Sequence, residues 1–230
     1  MAGNVSVNYQ SKIKNHVCCA KCKQKLLLST AYFAPIQYYS KILSDNSDVV
    51  IERHENYCKQ SYRNRCTIYT ANGLLDLVVP VVKSSQPKIP ITEVQISYDM
   101  PWQKQHFKAI ESAYRRSPFY EFFIDDLMAF FTNRYICLYD FNMQILRTMC
   151  SLMKIPFRVR ESVTYSKPDS EQIIDMRNSI HPKIDNQISD NQPFYTQVFA
   201  EKWGFKPNLS ILDLLFNTGR DAKNILQKVI

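Results

Sequence analysis

Leu26-Leu27-Leu28-Ser29-Thr30-Ala31-Tyr32-Phe33, then Pro35 with Ile36 to Leu43, then Val49-Val50-Ile51, is the stretch that decides the fold class. Leu26 to Phe33 is apolar and β-prone, and reads as a first, buried strand. Pro35 suits the first turn of a helix because its fixed φ is already helical, so the helix is expected over Ile36–Leu43. Asp45 to Asp48 reads as a turn, and Val49-Val50-Ile51 as a short strand. Strand, helix, strand in this spacing predicts a βαβ unit with a parallel pair. In such units the loop after the first strand sits at the carboxyl edge of the sheet, where ligands commonly bind.

The next stretch, Glu55 to Gly73, begins polar and aromatic and ends strand-like. Lys59, Arg63 and Arg65 stand among Tyr57, Tyr62 and Asn64. Cys66, Ile68 and Thr70 then alternate up to Asn72-Gly73, a strong hairpin signal. A group of cations and amides feeding a rigid hairpin can present charged donors to an anionic ligand. The alternative reading is a solvated loop whose arginines pair with surface carboxylates.

Farther on, Leu74 to Val82 reads as strand up to Pro80, and Ile91 to Tyr98 alternates like another strand. A helix is expected from Pro101, with Asp99 as cap, until Pro118 stops it. Its apolar stripe is Trp102, His106, Ile110 and Ala113. His106 is therefore either a core histidine bonded to a backbone group or a base opening onto a pocket edge. Phe119 to Phe131 and Asp140 to Met153 read as two more helices. Phe157 to Tyr165 reads as a strand, with Arg158 and Arg160 on one face. Lys167 to Gln192 reads as a long polar excursion or flap containing His181. Phe194 to Phe205 reads as helical. Ser210 to Asp213 has the form of a capping box, and Gly219 ends that helix.

Composition narrows the class. The chain has 230 residues, 45% hydrophobic and 13% aromatic with only four glycines, which describes a packed globular protein. Its formal charge is +8, but Lys12, Lys14, Lys21, Lys23 and Lys25 lie before Leu28 with no acid among them. Removing those five from the 29 Lys and Arg leaves 24 against 21 acids, a net of +3. The basic signal thus belongs to residues 1–25, read as a mobile arm, and residues 26–230 form the domain. A nearly balanced body without a Lys/Arg stripe argues against nucleic acid as partner. No run approaches the ~18 apolar residues of a membrane span. With no signal-peptide core the expected compartment is the cytoplasm. Seven irregularly spaced cysteines point to free thiols. The His16, Cys18, Cys19 and Cys22 group has no second ligand pair at zinc-site spacing, so no metal and no cofactor are expected.

Together these features predict an α/β fold: a single domain, a mixed sheet with an N-terminal βαβ unit and a central hairpin, packed by helices. Several pieces also occur in an order that resembles the WbqC-like proteins, from about Leu26 to the C-terminus. They are Tyr32-Phe33 with Pro35, Tyr57-Cys58-Lys59, Ser61 to Arg65 with Gly73, Pro80-Val81, Trp102 with His106 and Pro118, and Ser210 to Gly219. The resemblance implies work in bacterial surface-polysaccharide assembly, as a transferase moving an acyl or aminoacyl group to a sugar or nucleotide sugar. In that reading Lys59, Arg63 and Arg65 hold phosphates, Tyr57, Tyr62 and Asn64 orient the substrate, and His106 is the base. The competing expectation is a non-catalytic module that holds an anionic ligand with the same cations.

Overall fold

The computed structural model describes residues 24–44, 47–166, 173–184 and 193–229. Strand β1 (Gln24–Leu28) pairs in parallel with β2 (Ser47–Ile51) in unbroken register from Gln24↔Ser47 to Leu28↔Ile51. Helix α1 (Ile36–Leu43) joins them and starts directly after Pro35, as proline geometry predicts. Leu26, Leu27 and Leu28 are all buried, so both faces of β1 are covered. That explains why β1 reads as a continuous apolar run rather than an alternating one.

The hairpin is β3 (Arg65–Thr70) with β4 (Gly73–Val78), closed by the pair Thr70↔Gly73. Gly73 sits at φ +99°, a region open to glycine, and the Thr70 hydroxyl donates to its carbonyl at 2.8 Å. Helices α2 (Trp102–Tyr114), α3 (Tyr120–Leu127), α4 (Ala129–Thr132) and α5 (Leu138–Leu152) follow. Then come β5 (Arg160–Glu161), β6 (Ile173–Asp175), α6 (Ala200–Trp203), α7 (Ile211–Thr218) and α8 (Ala222–Lys228). Parallel and antiparallel pairing are divided between two sheets: one in the order β5-β2-β1-β6, all parallel, and the β3-β4 hairpin. A core of buried aliphatic and aromatic side chains runs between these sheets and the helices.

Several segments differ from the sequence reading: the first strand ends at Leu28 rather than Phe33, and Phe119–Phe131 forms two helices rather than one. Ile91–Tyr98 is not a strand: a 3-10 turn occupies Ile91–Glu93, and the chain then threads between two neighbours through the single bridges Val81↔Ile96 and Gln95↔Cys137. Asp99 does not cap α2; it accepts from the Ser97 hydroxyl instead. Only Arg160–Glu161 of the 157–165 segment pairs, along the edge of β2. The 194–205 segment is helical for one turn, because the Gln197 side chain bonds both backbone groups of Lys206 and Gly204 turns the chain at φ +74°. The polar 167–192 segment supplies β6, which pairs with β1 as the edge strand of the parallel sheet. The rest of that segment's ends, 167–172 and 185–192, lies outside the described residues, as do residues 1–23 with the His16 and Cys18 to Cys22 group. Gln24 and Lys25, assigned above to the arm, begin β1.

Ser210 does cap α7, but no reciprocal bond from Asp213 completes a capping box. The Ser210 amide is taken by the Thr67 carbonyl, and its hydroxyl accepts from Leu212 and donates to Phe33. Asp213 turns instead into the core, where Oδ2 accepts from Tyr195 Oη at 2.6 Å and Gln197 Nε2 at 3.1 Å. Burial pushes its carboxyl up to about 6, against the pull of its hydrogen-bond donors.

Candidate functional site

Three strands end side by side at the carboxyl edge of the parallel sheet, and each hands a polar residue to one cluster. Ser29 follows β1, Glu52 follows β2, and Arg177 follows β6 by two residues. The chain leaves β1 toward β2 on one side and returns to β6 on the other. The carboxyl ends of β1 and β6 therefore flank the point where the strand order reverses, which is where open α/β sheets form their ligand crevice.

The crevice is polar and narrow. Arg63 reaches it from the bend before β3, and its Nε and Nη2 donate to the two oxygens of Glu55, at 2.9 and 2.5 Å. Nη2 also donates to Ser29 Oγ at 2.6 Å, and Ser29 Oγ lies 3.0 Å from both Glu55 Oε2 and the Arg177 carbonyl. Arg177 forks onto Asp175 through Nε and Nη2, and its Nη1 is 3.4 Å from Glu52. Glu52 is fully buried and accepts from the Ser162 hydroxyl and the amides of His54 and Ser166. The segment before Arg63 is fixed by pairing with a second chain segment: Ile91 donates its amide to the Glu55 carbonyl, and Tyr57 donates to Ile89.

Charge is finely set here. Burial raises the Glu55 carboxyl above the usual carboxylate range, although Arg63, Ser29 and Arg177 all pull it down. Burial also works against Asp175, but the hydrogen bonds from Arg177 outweigh it and hold that carboxyl below its ordinary value. His181, after β6, is held low by burial and by the nearby charges of Arg63, Lys183 and Arg65. Ser29, Thr30, Ala31, Arg63, Met176 and Ile180 are among the walls of a cavity of about 10 Å³. That is room for roughly one water. One buried donor on its walls, the Thr30 hydroxyl, has no hydrogen-bond partner among the described residues, and the contacts of Arg63 to Glu55 and Ser29 use Nε and Nη2 rather than Nη1.

The residues expected to form one anion site are separated. Arg63 and Tyr62 line the crevice. Asn64 is turned away, its Nδ2 donating to the Val79 carbonyl. Arg65 leaves the other way along β3 and pairs with Asp76 of β4 at 3.4 Å. Tyr57 and Lys59 line a different and larger cleft of about 420 Å³, together with Lys83, Ser84 and Gln86. Neither cleft has His106 on its walls. His106 lies on the buried stripe of α2, with Nδ1 2.9 Å from the Tyr32 hydroxyl. Burial lowers it to about 4, so it is a neutral core histidine at pH 7. Nδ1 is engaged by Tyr32, and the ring faces neither cleft, so this geometry gives the imidazole no substrate to act on. His106→Gln is expected to cost about 1–3 kcal/mol of stability, the usual loss when a buried partner is left unpaired; urea melts measure it, and an unchanged midpoint would contradict the assignment.

Ser29, Thr30, Glu52 and Arg177 were not singled out by sequence. The one sequence signal for the β6 end was Ile173-Ile174, two apolar residues in a polar run.

The WbqC-like protein family profile matches residues 30–186, which include the loop after β1, the hairpin and β6. The chain belongs to this family. It is also similar to the uncharacterized protein Rv1507c of Mycobacterium tuberculosis, 24% identical over 227 residues, which covers 89% of this chain and 98% of that protein. No solved structure gives a significant match. Among the described residues no helix is long and apolar enough to cross a membrane.

Proposed function

We propose that this WbqC-like protein is a cytoplasmic transferase that moves an acyl or aminoacyl group to a sugar or nucleotide sugar for bacterial surface polysaccharide. The observation that carries the reading is the crevice at the strand-order reversal, walled by Arg63 and Thr30 with donors to spare. A buried guanidinium whose fork is partly used, beside a carboxyl of raised pKa, is an arrangement for stabilising developing charge rather than for simple packing. The nearby cleft suits the other half of such a substrate. Lys59 and Lys83 offer point charges to phosphate, and Tyr57 and Ser84 offer hydroxyls. Tyr57 lines this cleft and lies six residues before Arg63 in the chain. Tyr62 is a further substrate contact on the crevice wall. Asn64 acts on the backbone that carries it, and the proton-accepting role falls to Glu55.

Titration calorimetry with a panel of nucleoside diphosphate sugars tests this. Binding is expected with at least one, and Lys59→Ala or Lys83→Ala should weaken it about tenfold or more with melting unchanged. The magnitude follows because a hydrogen bond to a charged group contributes about 1.5–3 kcal/mol. Absence of binding across the panel would remove the sugar reading. Binding with no product after supply of activated acyl donors would favour the non-catalytic module.

A further inference from the structure

We infer that Ser29 itself carries the acyl group, forming an acyl-serine at the end of β1 in which Glu55 moves the proton and Arg63 and Thr30 hold the oxyanion. The inference rests on the transfer reading above and adds a covalent intermediate to it. Ser29 is the hydroxyl at the centre of the crevice. Its proton faces acceptors at 3.0 Å, one of them Glu55 Oε2, so a nucleophile and a base are already within hydrogen-bond reach. A serine oxygen has two lone pairs. Arg63 Nη2 occupies one at 2.6 Å, and the other remains for attack on a carbonyl in the cavity that Ser29 lines. The base is oriented in turn by the two-pronged contact with Arg63, which completes a nucleophile, base and orienting group in sequence.

The chemistry balances with an activated acyl ester or thioester as donor. Ser29 Oγ bonds to the acyl carbon while its proton passes to Glu55. The negative charge on the former carbonyl oxygen is received by the unpartnered Thr30 hydroxyl and by Arg63 Nη1, the arm of the guanidinium not used toward Glu55 or Ser29. The bond from carbon to the leaving sulfur or oxygen breaks, and Glu55 returns the proton to that leaving group. A sugar amine or hydroxyl then attacks the acyl-serine and gives its proton to Glu55. The bond from carbon to Ser29 Oγ breaks, and the proton returns to Ser29. Burial supports Glu55 in this exchange, because it raises the carboxyl's affinity for a proton. The cavity's size limits the donor to a short acyl group, whose admission must displace the Met176 or Ile180 side chain.

The full chain is incubated with diisopropyl fluorophosphate and, separately, with p-nitrophenyl acetate, and adducts are read by intact mass and peptide mapping. Parallel samples of Met176→Ala, which trims one wall, guard against slow access. One adduct is expected, on Ser29. It should vanish in Ser29→Ala and form about a hundredfold more slowly in Glu55→Gln, since a positioned base contributes about 10²–10⁴. Thermal melts confirm that these variants fold; where one does not, the mapped position in wild type and Met176→Ala decides. No adduct in either, or an adduct on another residue, overturns the inference. Nucleotide-sugar titration of the same samples separates the two readings. Sugar binding without a Ser29 adduct leaves a direct transfer and removes the acyl-serine. An adduct without sugar binding keeps the acyl-serine and removes the sugar acceptor.

Discussion

Arg63→Ala is expected to destabilise the protein by about 3–5 kcal/mol, the usual loss when one partner of a buried ion pair is removed. Arg63 and Glu55 are 3% and 5% exposed, so water cannot replace the lost fork. The variant leaves Glu55 as a buried carboxylate whose remaining side-chain donor is Ser29. For a chain of this size each kcal/mol shifts the melting midpoint by roughly 2–4 °C. The cost should shrink at lower pH, where the orphaned carboxyl can protonate. Replacing both partners, Arg63→Met with Glu55→Leu, should recover much of the loss, because no charge is then stranded. Urea melts of the two single variants and the double variant form a cycle that reports the coupling. A loss below about 1 kcal/mol for Arg63→Ala would match a surface pair and show that the crevice is wet.

That result bears on how the site could be read from sequence. Arg63 and Arg65 are two residues apart, and strand alternation places such residues on one face. The rule fails because β3 begins only at Arg65; Arg63 lies in the bend before it and turns inward to Glu55. Lys59 is one turn of chain earlier and faces the larger cleft. Three cations that look like one cluster thus point three ways, and nothing in their spacing reveals it. The βαβ unit and the hairpin were legible because their signals are local: Pro35 before a helix, Gly73 at a tight turn. The crevice was not, because it needs the partner of β1 on its second side. That partner is three residues long and sits in a polar run, so its identity depends on pairing with residues about 150 positions away. The carboxyl edge was expected to matter, but sequence did not show which residues would meet there. His106 shows the limit from another direction. Helical spacing placed it on the buried stripe of α2, where it lies, yet spacing could not reveal that the Tyr32 hydroxyl would meet its Nδ1.

Two buried groups, Asp213 and His106, are expected to make contributions to stability that nearly cancel between pH 7 and 4, because they titrate in opposite senses. Asp213 is raised from 3.8 to about 6 on folding, so the folded chain binds its proton more tightly. Its contribution is fully present below about pH 4 and is lost as pH rises through 6. His106 is lowered from 6.5 to about 4, so the folded chain binds its proton less tightly. Its contribution is present above about 6.5 and is lost as pH falls toward 4. At about 1.4 kcal/mol per pKa unit, each swing is about 3 kcal/mol, and the two overlap over the same window. Single substitutions should expose them. Asp213→Asn leaves His106 alone, and stability relative to its own value at pH 7 should fall by about 3 kcal/mol on acidification to pH 4. His106→Gln leaves Asp213 alone, and stability should rise with acid by a similar amount. Urea melts at half-unit steps of pH measure both slopes, each as a difference from wild type so that surface carboxylates cancel. Parallel curves for wild type and Asp213→Asn would mean that Asp213 is ionised in the folded core, held by Tyr195 and Gln197. Parallel curves for wild type and His106→Gln would mean that the imidazole takes up its proton without leaving its place between Tyr32 and Trp102.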